Sequence, residues 1–185
     1  MQLKLTLPLP KSVNHIYGRN KIGSTYLKKE GKDYKKEVGK YIKEEVKKQG
    51  WIKLLEGEYC YLDEIVYMNV KGRDSDNLKK LTQDTITETM CVWYDDTYCL
   101  PRTNRVYIDK ENPRLEIILT PTNTVGVFDC KKDYEEFESK CKECTRYVRN
   151  CSNLKCVKEN RIISQIKLNE ENKWTCYEFK RRKNK

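Results

Sequence analysis

Every second residue of the opening QLKLTL (2–7) is apolar, the mark of a strand with one face in a core. The prolines of PLPKS (8–12) cannot continue a ladder and end it. The period then changes. Between Asp33 and Gln49, Tyr34, Val38, Tyr41, Ile42 and Val46 recur at helical spacing with lysines and glutamates opposite them, which predicts a helix closed by Gly50. GEYCYLDEIVYMNV (57–70) is rich in aromatic and β-branched residues and reads as one long, partly bulged strand crossing the core. Leu78, Leu81, Ile86 and Met90 then mark the apolar stripe of a second helix running from Asp76 to Met90. RVYID (105–109) and RLEIILT (114–120) alternate around KENP, the pattern of a hairpin. Residues 1–120 are thus expected to form an α+β domain with a mixed sheet and two main helices.

From Pro121 the texture differs: PTNTVGVFDC reads as a linker, and the remainder holds six of the nine cysteines. A boundary is therefore expected there, with 121–185 a small cysteine-rich appendage and the final KRRKNK a solvated tail. A length of 185 residues fits one principal domain plus such an appendage. No run approaches the roughly 18 apolar residues that span a bilayer, and MQLKLTLPLPKSVN lacks the apolar core of a secretory signal. A cytoplasmic location is expected, where thiols stay reduced, so the cysteines suggest metal binding or burial before disulfides.

Net charge is +10, unevenly spread: 22 basic against 18 acidic residues over 1–120, and 16 against 10 over 121–185. Such a surplus attracts polyanions by counterion release and long-range steering, and serves solubility equally well. Charge by itself does not choose between them.

RDSDNLKK (73–80), followed by YDD (94–96), is the candidate for chemistry. Residues two apart in extended backbone share a side, so Asp74 and Asp76 can present both carboxylates to one point. A magnesium or manganese ion would relieve their repulsion with the hard oxygen ligands it prefers. A helix then leads away, and a tight YDD turn can return Asp95 or Asp96 to the same rim. Lys80, one turn beyond Asp76, is placed to hold a phosphate or developing negative charge, and Asn77 to orient a ligand or water. The same DSDN also fits a helix N-cap, and DD an ordinary turn.

These residues resemble the RusA family of Holliday junction resolvases, endonucleases frequent in phages and prophages. LTLPLPKSVNHIY is similar to the family's strand, proline turn and Ser-x-Asn-x-x-Tyr start, and KKEGKDYKKEV to its Glu-Gly-x-x-Tyr helix entry. RDSDNLKKLTQDTIT...VWYDD is similar to the family's Arg-Asp-x-Asp-Asn-Leu-x-Lys run and the Asp-Asp after it. PLPKS departs from the consecutive prolines more usual there. The resemblance implies Asp74, Asp76 and Asp96 as metal-binding catalytic carboxylates and Lys80 as the catalytic lysine, with Asn77 and Asp95 in less defined roles. It further implies a magnesium-dependent homodimer that nicks branched DNA such as four-way junctions. A two-fold dimer suits a two-fold junction, placing two equivalent sites for paired cuts.

In the appendage, Cys141 and Cys144 form a CxxC, followed by Cys151, Cys156 and Cys176, with Cys130 upstream. Tetrahedral zinc takes four thiolates, and Cys141, Cys144, Cys151 and Cys176 are the preferred set, with Cys156 able to replace either of the last two. Cys60, Cys91 and Cys99 have no ligand spacing and are expected to be buried as small apolar residues. The single His15 argues against a histidine-base nuclease, and no Gly-rich phosphate loop is present. Two other functions compete with the nuclease: a non-catalytic nucleic-acid-binding protein gripping through its basic surface and a zinc module, and a tail that recruits a protein partner.

Overall fold

The computed structural model describes residues 1–11, 16–72 and 76–182, the side chains of Asp76 and Asn77 excepted. Contacts divide the chain into two units, Met1–Thr122 and Asn123–Lys185.

In the first unit β1 (Leu3–Pro8) buries Leu3, Leu5 and Leu7 and exposes the residues between them. A short hairpin follows, β2 (Tyr17–Arg19) with β3 (Thr25–Leu27), which the periodicity did not reveal. Helix α1 (Lys29–Lys48) begins a turn before the expected Asp33, in a polar stretch where apolar spacing carries no signal. It ends as expected: Gly50 takes φ +64°, and the Trp51 N–H reaches back to the Val46 carbonyl at 3.0 Å. Strand β4 (Cys60–Met68) and helix α2 (Asp76–Glu88) come next, then β5 (Cys99–Ile108) and β6 (Arg114–Pro121).

The sheet order is β1-β6-β4-β5, with β6 antiparallel to both β1 and β4, and β4 parallel to β5. This corrects the expected hairpin. β5 and β6 follow one another in sequence, yet β4 lies between them, and residues 109–113 cross over its Met68 end, where the Asp109 N–H meets the Met68 carbonyl at 2.7 Å. The apolar content explains the order. β6 buries Leu115, Ile117 and Leu119 and takes a central place, whereas β5 carries Pro101 and is exposed from Leu100 onward apart from a half-buried Thr103. The expected bulge falls not in β4 but in β5, where pairing skips from Thr103 to Arg105 opposite Glu64 and Ile65.

The outer edge of β1 is sealed by α1. The Gln49 amide bonds both the Lys4 N–H (2.9 Å) and the Lys4 carbonyl (2.7 Å), and the Tyr41 hydroxyl accepts from the Thr6 N–H at 3.2 Å. Side chains thereby satisfy groups that would otherwise template another strand. Gln49→Ala should cost about 1 kcal/mol in urea-induced unfolding, with faster hydrogen exchange at Lys4.

The second unit is built on Phe128, packed with Phe137, Leu154, Val157 and Ile166. Its elements are α3 (Lys131–Lys142), α4 (Ser152–Lys158) and the hairpin of β7 (Ile166–Leu168) with β8 (Trp174–Cys176). Gly126 takes φ +55°, and a Cβ there would stand 1.9 Å from the Val157 carbonyl oxygen, so only glycine lets this loop dock on the end of α4. The expectation of a free tail from Lys180 is corrected for its first residues. Thr145 N–H bonds the Lys180 carbonyl at 2.9 Å, Arg182 N–H bonds that of Glu143 at 2.8 Å, and the Arg181 guanidinium grips the Glu143 carboxylate at 2.7 Å. Glu143 supplies the attraction that a count of basic residues overlooks.

Candidate active site

Strand alternation turns Cys60, Leu62, Glu64, Val66 and Met68 of β4 toward the helices. Glu64 is only 2% exposed. A carboxylate so placed needs partners. It has them: the Thr103 hydroxyl on β5 donates at 2.5 Å, and Lys79 Nζ on α2 lies at 3.9 Å. Reading the sequence for paired aspartates missed this residue, although its inward position in the β4 alternation was there to be seen.

Helix α2 buries Leu78, Leu81, Thr82, Thr85 and Ile86 against the core. Lys79 and Gln83 share one stripe of it, Lys79 reaching Glu64 and the Gln83 amide approaching the Cys99 sulfur at 3.9 Å. Lys80, about 100° further round the helix, is mostly exposed, with Nζ 3.8 Å from Asp84 Oδ1. Asp84 also accepts from the Tyr17 hydroxyl at 3.3 Å and lies 4.0 Å from Lys35 Nζ. It is a second carboxylate the motif reading overlooked, placed one turn beyond Lys80 where it can aim that ammonium group.

The two aspartates of YDD have different surroundings. Asp95 caps the 3-10 turn Asp96–Tyr98, its Oδ1 accepting the Thr97 N–H at 3.0 Å, and that bond holds its carboxyl below the usual range. Asp96 starts the turn, and after the bonds to Thr97 a side-chain hydrogen bond with it adds to the lowering of Asp95. Asp96 stands close enough to Cys99 that its charge, with that of Glu64, helps to hold the Cys99 thiol well above its ordinary range. The larger causes there are a hydrogen bond with Cys60, which lies directly across the β4–β5 pair, and burial. Cys60 and Cys99 are buried as expected, while Cys91 is half-buried.

Asp74 lies outside the described residues, as does the side chain of Asp76, whose backbone opens α2. Lys80 pairs with Asp84, and among the described residues no ion pair joins it to Asp96. Among the described residues, no group of three His, Cys, Asp or Glu side chains is already arranged to hold a metal ion, and no helix is long and apolar enough to cross a membrane.

In the second unit, Cys141, Cys144, Cys151 and Cys176 line a single small cavity, whereas Cys156 and Cys130 do not. Burial first, and then the charges of Cys176, Cys151 and Cys144, push the Cys141 thiol up to about 12. Cys130 instead lies 3.1 Å from Asp133 Oδ2.

No curated protein matches the chain. The family model described as endodeoxyribonuclease RusA matches residues 8–120, a span that contains β4, α2, the YDD turn, β5 and all but the last residue of β6. With most of the chain covered, and the acidic motif lying at the β4–α2 junction of an α+β fold, the protein belongs to the RusA family of endodeoxyribonucleases.

Proposed function

We propose that this protein is a magnesium-dependent endonuclease that resolves Holliday junctions and related branched DNA by hydrolysing phosphodiesters. The observation that carries this reading is the family match across residues 8–120, which spans Asp74, Asp76, Lys80 and Asp96. The donor set suits the metal: carboxylate oxygens are what Mg2+ or Mn2+ prefers, and Asp96 is not used in capping its own turn. Asp74, Asp76 and Asp96 would hold the ion. Bound there, it would supply an activated water and a counter-charge for the departing oxygen. Lys80, oriented by Asp84 at 3.8 Å, would steady the scissile phosphate.

Positive charge flanks the same helix. Lys32, Lys35, Lys36, Lys40 and Lys43 line a groove of about 770 Å3 together with Thr85 and Glu88 of α2, and phosphates of a DNA arm would find their counter-charge there. β5 supports the homodimer. It is an edge strand with exposed Leu100, Val106, Tyr107 and Ile108, and pairing it with a second copy would cover that apolar surface.

The decisive experiment is cleavage of a synthetic four-way junction across a magnesium titration, with linear duplex as control. Paired nicks that require metal are expected. Lys80→Ala should slow cleavage about a hundredfold while junction affinity changes little. Junction binding without turnover at any concentration of magnesium or manganese would instead favour a non-catalytic nucleic-acid-binding protein.

A further inference from the structure

Outside the acidic motif, four thiols of the second unit line one cavity. We propose that Cys141, Cys144, Cys151 and Cys176 bind one structural zinc ion, and that Cys156 does not take part. The four residues come from separate elements. Cys141 is in the last turn of α3, Cys144 follows two residues after that helix ends, Cys151 precedes α4, and Cys176 ends β8. All four line one cavity of about 20 Å3, room for a single ion or water and little else.

The framework around the sulfurs is already fixed. The Cys144 N–H bonds the Cys141 carbonyl at 2.9 Å, closing the CxxC turn, and an isolated antiparallel bridge between Cys144 and Arg181 holds the chain around Arg181 against it. The N–H groups that a thiolate needs are also in place. Lys180 N–H points at Cys144 Sγ at 3.5 Å, and the buried Asn153 amide approaches Cys176 Sγ at 3.8 Å while donating to Glu178 at 3.0 Å. Donors in this position orient metal-bound sulfur and offset its charge. Four thiolates around Zn2+ leave a double negative charge, and residues 121–185, with a net charge of +6, can carry it. Because the backbone is pinned, bringing the sulfurs to about 2.3 Å from one ion calls for rotation about their Cα–Cβ bonds.

Geometry also decides among the cysteines. Asn153 and Leu154 of α4 line the cavity, whereas Cys156 on the same helix is half-buried and is not among the lining residues. The unit has reason to need a metal. Phe128, Phe137, Leu154, Val157 and Ile166 are the buried hydrophobic cluster for Asn123–Lys185, a small core for that length, and metal coordination commonly supplies what such a core lacks.

The test is elemental analysis of the full-length protein purified without added chelator, together with optical spectra after replacement of the native metal by Co2+. About one zinc per chain is expected, along with the intense sulfur-to-cobalt and d–d bands of a tetrahedral thiolate site. Cys156→Ser should keep both signals, and Cys176→Ser should lose them. The spectrum of the unaltered chain needs no variant to fold. Absence of stoichiometric metal after reconstitution, a cobalt spectrum without tetrahedral thiolate bands, or equal loss in Cys156→Ser would each overturn the proposal. None of these readouts involves DNA, so the nuclease reading can fail while this one stands, and the reverse.

Discussion

Asp96→Asn should reduce four-way junction cleavage by at least about a hundredfold while leaving the melting curve unchanged, and Asp74→Asn and Asp76→Asn should do the same. The substitution is isosteric and removes only the charge. The 3-10 turn does not depend on it, because Asp95 makes the cap to the Thr97 N–H. Exchange of the neighbouring carboxylate gives the internal control. Asp95→Asn keeps a side-chain oxygen able to cap, so cleavage should fall little, whereas Asp95→Ala should loosen the turn and slow cleavage indirectly. Were both aspartates merely turn residues, the order would reverse and Asp95 would be the sensitive one. Wild-type cleavage by Asp96→Asn, measured under single-turnover conditions with saturating magnesium, would remove this residue from the chemistry. Retained junction binding by the same variant would separate a lost catalytic step from a lost DNA surface.

Periodicity revealed faces better than neighbours. The alternation in β1, β4 and β6 and Leu78, Leu81 and Ile86 of α2 gave buried positions, since which residues leave water is set by spacing along the chain, whereas Met90, expected on the same stripe, lies beyond the helix end at Glu88 and is exposed. Pairing is a different question. Two alternating segments joined by KENP satisfied every local rule for a hairpin, yet the order β1-β6-β4-β5 keeps them apart. What decides is which strand has enough apolar surface to be flanked on both sides, and β6 has it where β5 does not. Glu64 shows the converse. Its inward position was legible in CYLDEIVYM, but a search for clustered aspartates passes over a single glutamate whose partners, Thr103 and Lys79, come from two other elements. The same limit applies to the contacts of Asp84 with Tyr17 and Lys35, which form only once α1, α2 and β2 are brought together, whereas its pairing with Lys80 follows from their four-residue spacing on α2. In the second unit the CxxC spacing pointed to the cavity-lining thiols. The contact of Arg181 with Glu143 could not be read from it, because charge runs are usually solvated.

Phe128→Ala should destabilise the second unit by about 3–5 kcal/mol. Phe128 is 1% exposed, and its ring lies 5.1 Å from Phe137, 5.6 Å from Tyr134 and 6.5 Å from Trp174, centre to centre. It therefore ties α3 to the β8 hairpin. Its backbone is fixed as firmly: Val125 and Phe128 exchange two hydrogen bonds of 3.0 Å, and the Val127 N–H bonds the Val157 carbonyl at 3.0 Å. With no freedom to shift into the vacated space, the neighbours leave a cavity, and the upper part of the range applies. A domain of roughly 60 residues has only about 3–9 kcal/mol of stability in all, so this one truncation is expected to remove most of it. Hydrogen exchange read by mass spectrometry should show protection collapsing across 123–182 and persisting in β4 and β6. Phe128→Leu, which keeps most of the volume, should lose far less. If a zinc ion rather than this ring dominates the unit's stability, protection in Phe128→Ala will survive until the metal is stripped. The ring and the ion can therefore be separated by repeating the measurement with a chelator present.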